Sequence, residues 1–156
     1  MPVERPAPPF AGGCQCGAVR YQLTAVPTRA TICYCRMCQK AGGAPFMAFT
    51  GVKLANLVFT RGAPAKYSSY DIAERGFCAA CGTPLSYHMN GSNRVSVTLA
   101  SLDDPAQFAP THQVGTEARL PWLATLAALP EQRTDDWLVA AKIEDVGNHQ
   151  HPDRET

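Results

Sequence analysis

Short apolar segments separated by Gly, Pro, Asn and Ser run along most of the chain, which is typical of β-strands joined by turns. The clearest alternation places Val95, Val97 and Leu99 on one face, as a half-buried strand requires. Asn90-Gly91 stands between two apolar segments and indicates a hairpin. The predicted strands are Ala18–Leu23, Phe46–Thr50, Leu57–Arg61, Leu85–Met89 and Arg94–Ala100. The pattern therefore predicts a mainly β fold with short loops.

A helical pattern covers residues 134–146 near the C-terminus. Thr134 is a suitable N-cap, the two aspartates that follow suit the positive end of a helix, and Gly147 is a stop signal. The buried stripe of this helix would consist of Trp137, Ile143 and either Val139 or Ala140. We therefore expect a single C-terminal helix.

The chain is expected to divide into three parts. Residues 1–10 contain four prolines and little that can pack, which predicts a disordered lead-in. Residues 11–130 share the pattern of short apolar segments separated by turn residues and are expected to form one domain. A domain of this length is sufficient to bury a core. Residues 131–156 contain the C-terminal helix and a tail.

Charge and hydropathy narrow the classes of partner. The chain has 14 Lys and Arg against 13 Asp and Glu, without the excess of positive charge that nucleic-acid binding needs. The N-terminus lacks the layout of a signal peptide, and the longest apolar stretch, Leu120–Pro130, is too short to cross a membrane. We therefore expect a cytoplasmic protein with no nucleic-acid or membrane partner. In that reducing compartment, seven cysteines are more typical of metal ligands than of disulfides.

The cysteines form three clusters: Cys14-Gln-Cys16-Gly17, Cys33-Tyr-Cys35-Arg-Met-Cys38 and Cys78-Ala-Ala-Cys81-Gly82. The Cys78/Cys81 pair followed by glycine is typical of a zinc knuckle. Cys14 and Cys16 are two residues apart, so on an extended backbone both sulfurs point to one side. Neither pair completes a tetrahedron alone, but together they provide the four thiolates of a closed structural zinc site.

The remaining cysteines, Cys33, Cys35 and Cys38, supply three ligands and leave one position open, which is typical of a catalytic zinc. The seven cysteines thus predict two zinc ions per chain. Three thiolates outweigh the two positive charges of zinc, so this ion is a weak Lewis acid that prefers a soft fourth ligand. A substrate thiol bound there would be deprotonated and could add to a small carbonyl. The spacing therefore favours carbon–sulfur chemistry over hydrolysis.

Four other interpretations of the cysteines stay open. Cys33 could be a buried core residue, with Cys35 and Cys38 completing one site with the pair at 78 and 81. A dithiol redox site is disfavoured because no convincing helix follows Cys38, and an iron–sulfur cluster is disfavoured by the spacing. His88 or His112 could supply a fourth ligand to the three-cysteine site.

The motifs also resemble one known family. They are Gly13-Cys14-Gln-Cys16-Gly17-Ala-Val-Arg-Tyr, Cys33-Tyr-Cys35-Arg-Met-Cys38, Tyr67-Ser-Ser, Arg75-Gly-Phe-Cys78-Ala-Ala-Cys81-Gly82 and Ser101-Leu-Asp-Asp-Pro105. In this order they resemble the glutathione-dependent formaldehyde-activating enzyme family, also called the centromere protein V family, across residues 10–130. The resemblance implies a zinc-binding β-tent fold, a structural zinc on the first and third clusters, and a catalytic zinc on the second. It further implies that glutathione binds the catalytic zinc and is joined to formaldehyde as S-hydroxymethylglutathione.

The leading hypothesis is a zinc-dependent carbon–sulfur lyase. Arg36 and Lys40 lie within or just after the three-cysteine cluster and are candidates for binding the carboxylates of a glutathione-like thiol. Arg75 and Arg94 are expected to form structural salt bridges. The alternative function is a non-catalytic, zinc-stabilised module that binds a protein partner.

Overall fold

A computed structural model describes residues 7–144 and 146–154. Its strands are β1 Phe10–Gly13, β2 Arg20–Leu23, β3 Ala30–Cys33, β4 Met47–Lys53, β5 Leu57–Arg61, β6 Ala65–Tyr70, β7 Ala73–Phe77, β8 Pro84–Met89, β9 Arg94–Thr98 and β10 His112–Val114. They form a three-stranded sheet in the order β1-β2-β5 and a seven-stranded sheet in the order β10-β3-β4-β9-β8-β7-β6. Strands β10 and β3 are parallel, and the other neighbours are antiparallel. The mainly β fold expected from the sequence is confirmed.

The hydrophobic core lies where the two sheets meet. Tyr21 and Leu23 of β2 are buried in one cluster with Leu85 of β8 and Val97 of β9. Burying a side chain of this size contributes about 1.5–3 kcal/mol, so this cluster is a main source of stability. Both cysteine clusters are built on strands that this core fixes in place.

All five predicted strands are present, β5 with the predicted bounds and β2, β4, β8 and β9 with shifted ends. The predicted hairpin is also present, since Asn90-Gly91 lies in the connection between β8 and β9 and the Ser92 N–H donates to the Met89 carbonyl at 3.0 Å. Strand β9 ends at Thr98 because the chain turns there into a short 3-10 helix. Strands β1, β3, β6, β7 and β10 were not predicted.

The two α-helices differ from expectation. The first, α1, spans Arg36–Gly42 and was not predicted. The second, α2, spans Thr134–Ala140, so the prediction of a helix to residue 146 is wrong; residue 145 lies outside the described residues. Arg133 occupies the N-cap position without a side-chain capping hydrogen bond, and Lys142 takes a positive φ of 55° well before Gly147. Thr134 is therefore the first residue of the helix and not its N-cap, and Gly147 does not end it.

The predicted buried stripe of α2 is also wrong. Trp137 is 50% exposed and Val139 is 78% exposed, whereas Leu138 is half-buried. Only one side of this short helix meets the rest of the protein.

Five 3-10 helices complete the described elements: Leu54–Asn56, Leu99–Ser101, Pro105–Gln107, Thr116–Ala118 and Pro121–Ala128. Among the described residues, none of the helices combines the length and apolarity needed to cross a membrane.

The chain ends pack against the sheets where they are described. Phe10 is buried and begins β1, whereas residues 1–6 of the expected lead-in lie outside the described residues. At the other end, the His151 N–H donates to the Gln15 carbonyl at 2.7 Å. The C-terminal segment 146–154 therefore lies against the loop that carries Cys14 and Cys16.

Candidate metal centres

One cluster of four cysteines joins the two sheets. Cys14 and Cys16 follow β1 of the small sheet, and Cys78 and Cys81 follow β7 of the large sheet. All four sulfurs lie within 4.8 Å of one another. The Sγ atoms of Cys14 and Cys16 are 3.6 Å apart, and those of Cys16 and Cys78 are 3.8 Å apart. A tetrahedron with Zn–S bonds of about 2.3 Å has edges of about 3.8 Å, so this donor set fits a zinc ion.

Two glycines shape the turns that present these sulfurs. Gly17 has a φ of 77° and Gly82 a φ of 78°, a region that residues with a Cβ rarely adopt. The Gly82 N–H donates to the Cys78 carbonyl at 2.8 Å and closes the second turn. In the first turn, the backbone N–H of Val19 donates to Cys14 Sγ at 3.2 Å. The glycine after each cysteine pair therefore has the conformation expected of a knuckle.

The thiols of this cluster differ strongly in pKa. Burial raises the pKa of Cys81, but hydrogen bonds from the Thr83 side chain and backbone outweigh it and lower the pKa to about 6. The Ala18 N–H lowers the pKa of Cys16, but the hydrogen bonds between Cys16 and the other three sulfurs, above all Cys81, raise the pKa of Cys16 to about 11. Closely spaced thiolates repel one another, and a divalent cation removes that repulsion. The electrostatics of the donor set therefore fit a metal as well as its geometry does.

The other three cysteines form a second cluster at the start of α1. Cys33 ends β3, Cys35 is the N-cap of α1, and Cys38 lies in the first turn. Their sulfurs lie within 4.8 Å of one another, and the Cys38 N–H donates to Cys35 Sγ at 3.4 Å. Cys38 is buried, whereas Cys33 and Cys35 are half-buried. The cluster can hold a metal ion from three sides and leaves one side open to solvent.

The local environment separates the three thiols. Burial raises the pKa of Cys33 to about 12, and hydrogen bonding within the cluster adds to this rise. Burial also raises the pKa of Cys35, but hydrogen bonds from the Cys38 and Met37 backbone and from neighbouring sulfurs hold it below its usual value. Cys35 is therefore the thiol of this cluster that ionises first.

Sequence reasoning missed the buried arginine beside this cluster. Arg75 of β7 donates from Nη2 to Cys38 Sγ at 3.4 Å, and its guanidinium carbon lies 5.1 Å from the centre of the Tyr87 ring. The expected salt bridge is absent among the described residues, where Arg75 has no carboxylate partner. Arg94 likewise donates to the Thr28 hydroxyl and the Gly51 carbonyl, and not to a carboxylate. Both salt-bridge predictions are wrong.

A polar network holds the segment after β10 against α1. Tyr34 donates from its hydroxyl to Gln113 Oε1 at 2.9 Å, and Arg119 donates to the same oxygen at 3.0 Å. The Arg119 guanidinium also lies 4.8 Å from the centre of the Tyr34 ring. Gln39 of α1 donates to the carbonyls of Tyr34 and Ala118. This network fixes one wall of the three-cysteine cluster.

An apolar cavity of about 290 Å³ lies between the end of α1, β4 and the start of β8. Met47, which pairs with Cys33 across β3 and β4, lines it together with Gly42 and Phe46. Its lining is mostly apolar, so it suits a small uncharged group.

The candidate substrate-binding residues, Arg36 and Lys40, lie on α1. Both side chains are exposed, and their spacing of four places them on one face of the helix. Arg36 donates to Gln39 Oε1 at 3.2 Å. The two cations therefore share an exposed face of α1, whereas Cys38 lies on its buried face.

The structure decides between several interpretations of the cysteines. Cys35 and Cys38 group with Cys33, and not with the knuckle at 78 and 81, so the single-site arrangement is wrong. The argument that no convincing helix follows Cys38 is wrong as well, because α1 contains Cys38 and continues to Gly42. Among the described residues, neither histidine belongs to a metal-binding group: His88 bonds to the Ser92 carbonyl and His112 to the Thr111 hydroxyl.

Comparison with known proteins relates this chain to one family. The family model for the glutathione-dependent formaldehyde-activating enzyme matches residues 9–118, a range that contains all seven cysteines. A Schizosaccharomyces pombe protein whose name calls it an uncharacterized lyase is 32% identical over 87 residues. That match covers 55% of this chain and 63% of the relative, so the chain spans less than two thirds of the relative's length.

A solved structure supports the fold. The crystal structure of a Rhodobacter sphaeroides protein superimposes with a TM-score of 0.56 at 22% sequence identity. The match covers 67% of this chain and 100% of the other. At this identity the likeness concerns the fold alone.

Proposed function

Because this chain belongs to the glutathione-dependent formaldehyde-activating enzyme family, we propose that it is a zinc-dependent carbon–sulfur lyase. Its substrate would be the adduct of a thiol and a small aldehyde, and its activity would resemble that of S-(hydroxymethyl)glutathione synthase. The observation that carries this proposal is the cluster of Cys33, Cys35 and Cys38, whose sulfurs converge on one point and leave one side open. The name of the fission yeast relative, a lyase, agrees with this reaction class.

The four-cysteine cluster has a structural role in this proposal. Cys14, Cys16, Cys78 and Cys81 would hold a zinc ion with all four positions filled by protein. Because the two cysteine pairs come from different sheets, the ion would tie β1 to β7. A closed site of this type contributes to folding and not to chemistry.

The three-cysteine cluster has the catalytic role. When bound there, zinc would supply a soft electrophile that keeps a substrate thiol deprotonated at neutral pH. Cys38 forms the buried floor, while Cys33 and Cys35 leave the solvent side for the substrate sulfur. The mostly apolar cavity beside Met47 has room for a small aldehyde.

The reaction balances without an oxidant or a reductant. In the synthesis direction, the substrate sulfur donates an electron pair to the aldehyde carbon and a C–S bond forms. The π electrons of the carbonyl move to oxygen, which takes up the proton that the thiol released. Cleavage is the reverse. Arg36 and Lys40, on one exposed face of α1, would bind the carboxylates of a glutathione-like thiol during either direction.

The test counts zinc per chain before and after a mild chelator, with and without glutathione. We expect two zinc ions, of which one is labile and is protected by glutathione. Exchange between free and adduct-bound formaldehyde, followed by NMR, should be faster with the wild-type protein than without it. Cys35→Ser should lose the labile ion and the exchange activity, whereas Cys16→Ser should lose the other ion.

Two results would contradict the proposal. One would be a single tightly held zinc that responds neither to chelator nor to glutathione. The other would be a Cys35→Ser protein that exchanges formaldehyde at the wild-type rate. The first result would favour the alternative function, a zinc-stabilised module that binds a protein partner.

A further inference from the structure

Arg75 is a buried cation that has no carboxylate partner among the described residues. The residue is 9% exposed, and the ion pairs in the described part of the chain use other cations. Its Nε atom is buried without a hydrogen-bond partner. A guanidinium does not lose its proton in a protein, so its burial is costly unless a negative charge lies nearby.

The three-cysteine cluster is the group that can supply this charge. Arg75 Nη2 lies 3.4 Å from Cys38 Sγ, and Nη1 lies 3.9 Å from Met47 Sδ, which is uncharged. When the cluster holds a divalent ion, its three thiolates outweigh the metal by one negative charge. The metal-loaded cluster therefore provides the counter-charge that the guanidinium otherwise lacks.

The surrounding sheet fixes Arg75 in this position. In the strand register, Arg75 stands opposite Tyr67 of β6 and Tyr87 of β8. The Tyr87 ring lies under the guanidinium at 5.1 Å, an arrangement that favours a cation over a neutral group. The fork of the guanidinium is thus held in one orientation toward Cys38.

We propose that Arg75 is the charge-compensating residue of the three-cysteine metal site. It stabilises the metal-loaded cluster and favours an anionic fourth ligand, a thiolate, over a neutral one. The second part rests on the proposed function, because a thiolate in the fourth position adds a further negative charge beside the guanidinium. Arg75 acts through Cys38 and is a positioning residue.

The test uses the full chain with Co²⁺, whose absorption bands report thiolate ligands and coordination number. Arg75→Gln removes the charge, Arg75→Lys keeps the charge without the planar fork, and Arg94→Gln is the matched control on the same sheet. Each protein is titrated with Co²⁺ against a chelator. The metal-loaded site is then titrated with glutathione and, separately, with imidazole as a neutral ligand.

We expect Arg75→Gln to keep the four-cysteine site and to bind Co²⁺ at the three-cysteine site roughly 10- to 100-fold more weakly. At saturating Co²⁺, its affinity for glutathione should fall at least about tenfold relative to its affinity for imidazole. Arg75→Lys should lie between Arg75→Gln and the wild type, and Arg94→Gln should match the wild type. A purely structural role would weaken glutathione and imidazole binding equally.

Unchanged Co²⁺ affinity at the three-cysteine site of Arg75→Gln would overturn the proposal, and so would an unchanged preference for glutathione over imidazole. If Arg75→Gln does not retain the four-cysteine site, Arg75→Met, which also removes the charge, replaces it in the same titrations, and wild-type ratios in that variant would overturn the proposal. A wild-type protein that binds Co²⁺ at the three cysteines but shows no spectral response to glutathione would refute the proposed function. In that case the metal affinities of the Arg75 variants would still test the first part of the inference.

Discussion

The segment that follows β10 approaches the three-cysteine cluster so closely that only glycine fits. Gly115 has a φ of 64°, and a Cβ added to it would lie 2.6 Å from the backbone nitrogen of Cys35 and 3.1 Å from its Cβ. Cys35 is both the N-cap of α1 and a member of the cluster. We therefore predict that Gly115→Ala damages stability and the metal site together.

The cost has two parts that can be separated. The left-handed conformation costs a residue with a Cβ about 1–2 kcal/mol. The contact with Cys35 must lengthen by roughly 0.8 Å to reach the 3.4 Å of ordinary packing, and forced packing of this kind costs about 1–3 kcal/mol. Gly115→Ala should therefore lower the free energy of unfolding by about 2–5 kcal/mol in total.

Gly43 provides a matched control at the other end of α1. It has a similar φ of 58°, but a Cβ added to it meets nothing within 4 Å. Gly43→Ala should therefore pay only the conformational cost of about 1–2 kcal/mol. The difference between the two variants, about 1–3 kcal/mol, isolates the contact with Cys35.

Urea unfolding of the zinc-loaded proteins measures the loss of unfolding free energy in each variant. A Co²⁺ titration measures the metal affinity of the three-cysteine cluster. Gly115→Ala should weaken Co²⁺ binding by the three-cysteine cluster at least about tenfold, since ligands must be held to within about 0.5 Å. Gly43→Ala should bind Co²⁺ as the wild type does. Equal stabilities and equal Co²⁺ affinities for the two variants would refute the steric argument.

Three further predictions concern the structural parts of the chain. Cys81→Ser should lose one zinc ion and lower the Tm by more than about 10 °C in calorimetry, because a structural zinc contributes directly to folding; an unchanged Tm would contradict the structural assignment. Asp103→Asn should lower the free energy of unfolding in urea by about 3 kcal/mol, because it breaks a bidentate ion pair in which the Arg20 side chain is 4% exposed and the Asp103 side chain 12% exposed. The control is Asp135→Asn in the exposed pair with Arg133, which should lower the free energy of unfolding by less than about 0.5 kcal/mol. Burial raises the pKa of Tyr21, so the folded state keeps this phenol neutral above pH 10 while the unfolded state ionises it. Stability should therefore fall with rising pH above about 10, by up to about 1.4 kcal/mol per pH unit, and Tyr21→Phe should remove that part of the slope; an identical slope in the variant would show that another group causes it.

The predicted strands include β9, whose side chains alternate into the core, and also β5, which is mostly exposed. Strand β9 alternates because Val95 and Val97 face the core, and this period is visible in one dimension. Strand β7 is also largely buried, but its interior is Glu74, Arg75 and Gly76, which no hydrophobic pattern marks as a strand. Arg75 is buried against Cys38 and Tyr87, whereas Glu74 is half-buried and pairs with Lys66.

The C-terminal helix shows the opposite error. Its acidic first turn correctly placed the start near Thr134, since that signal is local. Its apolar residues suggested a buried stripe, but Trp137 and Val139 face solvent. Only the side that carries Leu138 is partly covered by the rest of the protein. The sequence pattern gives the faces of a helix and not the surface against which it packs.

The cysteine groups were more predictable than the residues around them. Ligand number and spacing are local properties, so four cysteines and three cysteines could be assigned before any contact was known. The contact between Arg75 and Cys38 depends on the position of β7 relative to α1. The spacing of residues along the chain carries no information about that position. The same holds for Gln113, which reaches Tyr34 only because β10 pairs with β3.

Strand β7 connects the two cysteine clusters. The Arg75 side chain contacts Cys38 of one cluster, and three residues later Cys78 belongs to the other. Between them, Gly76 packs closely against the Ser86 hydroxyl and Pro64, and β7 pairs with both β6 and β8, so this part of the strand is held on two sides. A metal bound by the four cysteines would fix the end of β7 and, through the rigid strand, the position of the guanidinium. In the proposed enzyme, the four-cysteine metal would therefore also support the geometry and charge of the three-cysteine site, although its own ligands would not touch the substrate.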